Sequence, residues 1–294
     1  MGYEFFQSFD AVKEVFREAS EMTGMDMAKL IFDSDEEELK RTMNTQPAMI
    51  TVEIAILETL RSEFGMKPFI TAGHSVGEAS ALYCAGILKR EDAFRLIAER
   101  ARLMERESKK KEGKMYAVLG PEDAVVNAVI SKVKDGIVVA ANYNTNGQTV
   151  ISGDASGMDG FMKTVNGENI KARLLELKVS GAWHSPLMSG ASEEYAAFVA
   201  GLELAEPSVK FIPNVTGAPE SDKEAIRRYI SRQITSPVKW TGTMGTFLKE
   251  GIESVVEIGP GNVLTGLMKR FAPNIERRNV DKLADLENLK NMEM

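Results

Sequence analysis

A ten-residue stretch, Phe69-Ile-Thr-Ala-Gly-His-Ser-Val-Gly-Glu78, constrains the fold more than any other part of this chain. It passes from a short apolar strand through Gly73-His-Ser-Val-Gly77 into an Ala-rich helix predicted from Val76 to Leu88. A serine between two glycines at such a turn can hold its Oγ clear of the sheet, because the crowded backbone excludes side chains. The helix also aims free N–H groups at any anion forming beside Ser75. Ser75 is therefore the predicted nucleophile; the alternative is an ordinary tight turn.

A serine hydroxyl needs a general base, and the chain contains two histidines, His74 and His184. Adjacent side chains at a sharp turn diverge, so His74 is predicted to be a packed or hydrogen-bonded core residue. His184 is then the base by elimination. It lies in Lys178-Val-Ser-Gly-Ala-Trp-His-Ser-Pro186, where a strand-like segment ends in a loop bounded by Gly and Pro, a usual place for catalytic side chains. The alternative is a structural histidine.

Composition excludes several classes of function. The length of 294 residues with 44% hydrophobic content allows one large domain, or a domain with a smaller one inserted. A net charge of −7 argues against partners such as nucleic acid or an anionic membrane, which need a dominant basic surface. The single cysteine, Cys84, excludes an internal disulfide and indicates a reducing compartment. With no apolar run of ~20 residues and no leader of the signal-peptide type, the protein is expected to be cytoplasmic. No metal site is predicted, because the cysteine and histidines lack ligand spacing.

The pattern of predicted elements changes near residue 113. Residues 113–180 predict the order βαββαβ, which is typical of a ferredoxin-like subdomain. Strands alternating with helices in 1–112 and 181–294 predict a discontinuous α/β domain built on a parallel sheet. The small subdomain is then inserted between Ser75 and His184, and the active site is expected in the cleft between the two parts.

One arginine falls on the apolar face of a helix. In the helix predicted from Glu91 to about Met104, Arg100 lies inside the apolar stripe formed by Ala93, Leu96, Ile97, Ala101 and Met104. An inward guanidinium costs several kcal/mol unless it meets an anion, and its planar fork suits a carboxylate. A substrate with a free carboxylate and a buried ion pair with Glu78 are both compatible with this position.

Taken together, these residues resemble the malonyl-CoA:acyl carrier protein transacylases over nearly the whole chain. In this resemblance Ser75 matches the family's serine, Arg100 its carboxylate-binding arginine and His184 its base. A backbone carbonyl near Gln233 would orient the histidine, so that no aspartate is needed. The matching segments are Gly73-His-Ser-Val-Gly-Glu78, Ala98-Glu-Arg-Ala-Arg102, Asn142-Tyr-Asn-Thr-Asn-Gly-Gln-Thr-Val-Ile-Ser-Gly153, Gly181-Ala-Trp-His184, Arg232-Gln233, Ser236-Pro-Val-Lys-Trp240 and Glu257-Ile-Gly-Pro-Gly-Asn-Val-Leu-Thr-Gly266.

The resemblance implies a hydrolase-like α/β domain with the inserted ferredoxin-like subdomain, and an acyl transfer in fatty acid biosynthesis. A malonyl group would pass from coenzyme A to Ser75 and then to the pantetheine thiol of acyl carrier protein. Arg100, Val76 and Gln233 are the expected substrate-binding residues. Malonyl-CoA would be the substrate, with no cofactor and no metal, and the enzyme is expected to be a monomer. The aromatic Trp183 before His184 matches the malonyl-selective pattern rather than the methylmalonyl-selective one.

One departure from the family pattern concerns the oxyanion hole. The family begins with a strand and a Gly-Gln-Gly-Ser loop whose glutamine N–H helps to form that hole, and this sequence starts after it. The expectation is a sheet short of one strand and a hole with one donor, the N–H of Val76. Losing one donor costs roughly 10²–10³ in rate. Two alternatives therefore stay open: a serine hydrolase or thioesterase, and a truncated inactive form lacking the oxyanion loop.

Overall fold

Helices make up the first part of the chain and lead to a long buried one. In the computed structural model, which describes residues 1–289, they are α1 (Tyr3–Ser8), α2 (Asp10–Thr23), α3 (Met27–Phe32), α4 (Glu36–Lys40) and α5 (Thr42–Phe64). Ile50, Ile54, Ile56 and Leu60 of α5 are all fully buried. Because these residues point in several directions around the helix, α5 can be stable only inside a core.

The predicted strand and turn follow α5. They form β1 (Ile70–Ala72), a 3₁₀ turn (Ser75–Gly77), α6 (Glu78–Cys84) and α7 (Arg90–Lys110). The helix predicted to reach Leu88 thus ends at Cys84. It ends because Gly86 adopts a φ of 74°, where the Ile87 N–H turns back to the carbonyl of Leu82 at 3.0 Å.

The next segment contains the elements predicted for residues 113–180, in the predicted order. They are β2 (Lys114–Leu119), α8 (Asp123–Lys132), β3 (Val138–Thr145), β4 (Gln148–Gly153), α9 (Ala155–Gly167) and β5 (Arg173–Glu176). The strands form one antiparallel sheet in the order β3-β4-β2-β5. Val126 of α8 and Phe161 of α9 are buried in one apolar cluster with Val118 and Ile151 of the sheet, which gives this segment a core of its own.

Alternating helices and strands complete the described chain: α10 (Ser192–Ala200), β6 (Lys210–Ile212), α11 (Lys223–Arg232), α12 (Trp240–Lys249), β7 (Ser254–Ile258), α13 (Val263–Phe271) and β8 (Glu276–Val280). Strand β1 pairs in parallel with β6, and this pairing places Thr71 opposite Phe211. Strand β7 pairs in parallel with β8. Strand β8 was not predicted, because its sequence Glu-Arg-Arg-Asn-Val is mostly charged and lacks an apolar pattern.

The single parallel sheet predicted for the main part of the chain is instead two separate pairs. Within residues 1–289, no strand joins β1 to β7, and a groove of about 600 Å³ lies between them. Ile70 and Thr71 line one side of this groove, and Val255 and Val256 line the other. The fold is therefore α/β with mixed sheets, and within the described residues the parallel strands of the main part are divided between two pairs.

The antiparallel sheet is attached to the rest of the molecule through its edge strand β3. The N–H of Val238 donates to the carbonyl of Ala141 at 2.8 Å, and the N–H of Tyr143 donates to the carbonyl of Val238 at 2.9 Å. This short parallel bridge, ahead of α12, fixes the end of β3 beside the β1 turn. The two parts of the chain therefore meet at the place where the predicted catalytic residues lie.

The carboxyl group of Glu53 lies beside the Ser75–Gly77 turn that follows β1. Glu53 of α5 packs against Gly77 and Gly259, where a Cβ at Gly259 would lie 2.7 Å from its Cγ. Ser80 donates a hydrogen bond to Glu53. Burial raises the pKa of Glu53 to about 7; the Ser80 hydrogen bond opposes this shift and the charge of Glu257 adds to it. Glu53 is thus expected to be largely protonated in mildly acidic solution.

Replacing Glu53 by Gln is expected to stabilise the fold in alkaline but not in acidic solution. A carboxyl whose folded-state pKa is raised keeps its full stability below the unfolded-state value near 4.5 and loses it as pH rises through about 7. At 1.36 kcal/mol per pKa unit, Glu53→Gln should raise the free energy of unfolding by about 1–3 kcal/mol at pH 8 and change it little at pH 5. Urea denaturation at both values measures this, with Glu63→Gln on the exposed end of α5 as control. An equal effect at both pH values would contradict the argument.

Candidate active site

Ser75 occupies a strained position directly after β1. Its φ of 50° lies in the left-handed region, which few residues other than glycine adopt. The turn is tight enough that a Cβ at Gly73 would lie 1.9 Å from the carbonyl oxygen of Gly77. A Cβ at Gly77 would meet only the Glu53 carboxylate, at 3.7 Å, which is ordinary contact. Steric crowding therefore requires a glycine at position 73, whereas position 77 has room for a Cβ.

Asn214 holds this turn from the neighbouring strand. It follows β6, and its Oδ1 accepts the Ser75 N–H at 2.7 Å while its Nδ2 donates to the carbonyl of Gly73 at 2.5 Å. Its own N–H donates to Oε1 of Glu78 at 2.7 Å, and burial raises the pKa of Glu78 to about 7. Asn214 was not among the residues predicted from the sequence. The available signal was a polar residue just past a short apolar strand, where parallel strands end at a common edge.

The structure brings Ser75 and His184 together across 109 residues of chain. Ser75 Oγ lies 2.7 Å from His184 Nε2, and His184 is 2% exposed. His184 Nδ1 lies 3.0 Å from the carbonyl oxygens of both Gln233 and Ser236. Because carbonyls only accept, Nδ1 must carry the proton, and Nε2 is left to accept from the serine hydroxyl. This is the arrangement that a general base requires.

The surroundings of His184 keep its ring neutral. Burial lowers the pKa of His184 to about 3, the charge of Arg100 and a smaller interaction with His74 add to the shift, and the bonds to Gln233 and Ser236 oppose it. A neutral ring can take up the serine proton without first losing one of its own. It also means that the resting base is weak, which becomes important for the role of Arg100.

Arg100 of α7 points at the nucleophile. It is 2% exposed, and its Nη2 donates to Ser75 Oγ at 3.1 Å. Its Nε donates to Oε1 of Gln233 at 2.8 Å, and its Nη1 donates to Oε1 of Gln46. Among the salt bridges of residues 1–289 none involves Arg100, so the alternative of an ion pair with Glu78 is not what the structure adopts. A buried guanidinium held by neutral amides is suited to receive an anion.

Gln233 contacts every member of this group. Its side-chain Nε2 donates to the carbonyl of Ser75 at 2.8 Å, in addition to its bonds with Arg100 and His184. Gln233 thus contacts the predicted nucleophile, the predicted base and the buried arginine. Gln46 was missed by the sequence analysis, although a glutamine at the start of an apolar helical run was a usable signal.

Val76 provides the free N–H beside the nucleophile. Within residues 1–289 no hydrogen bond uses this N–H, whereas that of Ser75 is taken by Asn214. A pocket of about 400 Å³ opens here, lined by Ser75, Val76, Gly77 and Met49 among others. Val76 is therefore the available backbone donor for an oxyanion forming at Ser75, and it borders a space that could hold the reacting group.

His74 turns away from the nucleophile, as predicted. Its Nε2 lies 2.8 Å from Oδ1 of Asn144 on β3, and its ring packs edge-on against Trp240 with centroids 5.3 Å apart. Burial lowers the pKa of His74, so the ring is neutral. His74 thus links the turn to the antiparallel sheet.

Two other kinds of site are absent from the described residues. Residues 1–289 contain no group of three or more His, Cys, Asp or Glu side chains placed to hold a metal ion. In the same range, no helix combines the length and apolar character needed to cross a membrane.

Comparison with known proteins identifies the family. The model of the acyl transferase domain matches residues 1–284. The malonyl CoA-acyl carrier protein transacylase of Bacillus subtilis (strain 168) is 38% identical over 272 residues, which cover 92% of this chain and 85% of that protein. The Escherichia coli (strain K12) protein of the same name is 35% identical over 269 residues, covering 91% and 87%.

Solved structures of the same kind share the fold. An acyl carrier protein S-malonyltransferase from Vibrio cholerae matches with a TM-score of 0.93 at 35% identity, over 99% of this chain and 95% of that one. A malonyl-transacylase solved in complex with its type II polyketide acyl carrier protein matches with a TM-score of 0.92 at 34% identity, over 98% and 93%. The chain therefore belongs to the acyl transferase domain family, and within it to the malonyl-CoA:acyl carrier protein transacylases.

Proposed function

We propose that this chain transfers a malonyl group from coenzyme A to the pantetheine thiol of acyl carrier protein, in fatty acid biosynthesis, with Ser75 as the acyl carrier. One observation carries the proposal: the Ser75 hydroxyl lies 2.7 Å from a neutral imidazole and 3.1 Å from an arginine that lacks an ion-pair partner in residues 1–289. The first contact supplies a base for a nucleophile, and the second supplies a site for a carboxylate on the acyl group.

In the first half-reaction, Nε2 of His184 takes the Ser75 proton as Oγ attacks the malonyl thioester carbonyl. The N–H of Val76 donates to the resulting oxyanion, because the N–H of Ser75 is already held by Asn214. The thiolate of coenzyme A then leaves and takes the proton from His184. Malonyl-Ser75 remains.

In the second half-reaction, the same imidazole works in reverse. The pantetheine thiol gives its proton to Nε2 of His184, and the sulfur attacks the malonyl ester. As the C–O bond breaks, the proton returns from His184 to Ser75 Oγ. The carbonyls of Gln233 and Ser236 hold Nδ1–H in both directions, so the ring keeps one orientation through the cycle.

Arg100 provides the selectivity for a carboxylated acyl group. Three of its five N–H bonds are used by Gln233, Gln46 and Ser75, which leaves one N–H on each terminal nitrogen. Those two can hold both oxygens of the malonyl carboxylate end-on. Gln233 is thus proposed as a residue that positions Arg100 and His184 rather than one that touches the acyl group itself.

We also propose a division of the chain into two domains. Residues 113–180 would form a ferredoxin-like subdomain inserted into a hydrolase-like α/β domain of residues 1–112 and 181–294, of which the last five lie outside the described part. The antiparallel order β3-β4-β2-β5 and the separate apolar cluster support this division. A cytoplasmic monomer that uses malonyl-CoA as substrate without a cofactor is likewise proposed.

Incubation with malonyl-CoA is expected to leave one malonyl group on Ser75. Intact-protein mass spectrometry should detect the adduct in wild type and none in Ser75→Ala. Arg100→Ala should slow adduct formation roughly 10–100-fold, because hydrogen bonds to the carboxylate charge are lost. Arg102→Ala, on the exposed side of α7, is the matched control.

The same experiment separates the alternatives. A serine hydrolase or thioesterase would discharge the adduct to water as fast as to the thiol of acyl carrier protein. A truncated, inactive form would give no adduct at all. Either result would overturn the proposed transfer.

The rate of adduct formation is expected to persist in acid. The neutral form of His184 is the active one, and its pKa in the free protein is lowered to about 3. At low malonyl-CoA concentration, the second-order rate constant should therefore hold from pH 8 to about pH 5, whereas a histidine at its usual value near 6.5 would lose most activity there. His184→Gln should lower the rate roughly 10²–10⁴-fold. A midpoint near pH 6.5 in wild type would show that the pKa of His184 is not lowered as described.

A further inference from the structure

Arg100 and His184 both contact Oγ of Ser75. Ser75 Oγ accepts a hydrogen bond from Nη2 of Arg100 at 3.1 Å and lies 2.7 Å from Nε2 of His184. The arginine thus occupies a lone pair of the nucleophile while its charge lies beside the base. The hydrogen bond makes this lone pair less available for attack, and the charge lowers the proton affinity of the His184 ring.

The charge of Arg100 has no salt-bridge partner within residues 1–289. Gln46 and Gln233 offer it neutral amide oxygens. The groups that interact with it electrostatically are Tyr195 of α10 and Glu78 of α6. Burial raises the pKa of Tyr195, which keeps this side chain neutral, and raises that of Glu78 to about 7, so that Glu78 is mostly neutral below this pH. On the side of His184, the other titratable group is His74, which is itself kept neutral.

We propose that the unpaired charge of Arg100 restrains the Ser75–His184 pair, meaning that it lowers the reactivity of Ser75. A carboxylate bound to Arg100 releases this restraint and raises the reactivity of Ser75. The proposed function enters only through the identity of the natural carboxylate, that of the malonyl group. The substrate would then contribute one of the interactions that activate its own nucleophile. An acyl group without a carboxylate would bind weakly and would also meet a restrained serine.

The physical basis is the strength of the base. Burial and then Arg100 hold the pKa of His184 far below the value at which a histidine is an effective base near neutral pH. A bound carboxylate pairs with the guanidinium and cancels the second of these causes. It also draws Nη2 toward itself and weakens the hydrogen bond to Ser75 Oγ. Both changes increase the reactivity of Ser75.

A neutral serine reagent tests the restraint without malonyl transfer. Phenylmethanesulfonyl fluoride carries no charge, and its sulfonylation of Ser75 can be followed by intact-protein mass spectrometry at pH 7. We expect Arg100→Gln, which removes the charge but keeps an amide, to react faster than wild type by roughly tenfold. Arg102→Gln should react at the wild-type rate. Slower or equal reaction of Arg100→Gln would overturn the proposal.

Formate tests the release, because it is a carboxylate small enough to leave room for the reagent. Added sodium formate should accelerate sulfonylation of wild type and leave Arg100→Gln unchanged, with sodium chloride at equal ionic strength as control. No acceleration by formate would overturn the proposal. Since Arg102→Gln keeps the Arg100 site, it should respond to formate as wild type does.

Nuclear magnetic resonance supplies a readout that does not depend on reactivity. The chain has two histidines, so ring ¹⁵N spectra contain two sets of signals, and the set lost in His184→Gln belongs to His184. Formate should move the titration midpoint of His184 upward in wild type but not in Arg100→Gln. A midpoint that formate leaves unmoved would contradict the inference even if the variant folds poorly.

Failure of this inference is distinguishable from failure of the proposed function. If malonyl-CoA labels Ser75 but formate changes neither sulfonylation nor the His184 midpoint, only the restraint is wrong. If formate acts as expected but malonyl-CoA leaves no adduct, the restraint stands and malonyl is not the acyl group.

Discussion

The left-handed backbone of Ser75 is the constraint on which the site depends. A non-glycine residue in that region costs of order 1–3 kcal/mol and persists only where its surroundings enforce it. Here Asn214 enforces it by bonding the Ser75 N–H and the Gly73 carbonyl, and it is itself held by Glu78. Without this turn Oγ would not reach His184 and Arg100 together, because both approach from elements distant in the chain.

The side chains that hydrogen-bond to Arg100 through their amide oxygens are uncharged, so they position the guanidinium without neutralising it. Gln46 and Gln233 satisfy its donors with amide oxygens, so that desolvation is offset by hydrogen bonds while the charge is preserved. A glutamate at either position would make an equally good hydrogen bond but would neutralise the guanidinium. Such a residue would consume the anion site that the substrate needs. The two glutamines therefore explain how a charge can be buried and still available.

The sequence predicted Ser75, His184 and Arg100 as site residues, and the structure brings them into contact. Each leaves a local or countable signal: a turn motif, one of two imidazoles, and a cation within an apolar helical stripe. Asn214 and Gln46 leave none of comparable strength, since their partners lie 139 and 54 residues away. The order of elements in residues 113–180 was predictable from alternation. The division of the parallel strands into two pairs was not, because strand pairing is long-range and depends on which edges meet.

The second half of the site repeats the logic of the first. His184 also has a left-handed backbone, with φ of 57°, and the next residue holds it there: Ser185 Oγ donates to the carbonyl of Ala182 at 2.6 Å and caps the turn that follows. Nucleophile and base are thus each strained and each braced by a buried polar neighbour, Asn214 or Ser185. The 2.7 Å contact between Ser75 Oγ and His184 Nε2 joins these two turns, so a change in either turn would move one of its partners. The two turns therefore bring the side chains of Ser75 and His184 together, while the helices beneath them supply Gln46 and Arg100.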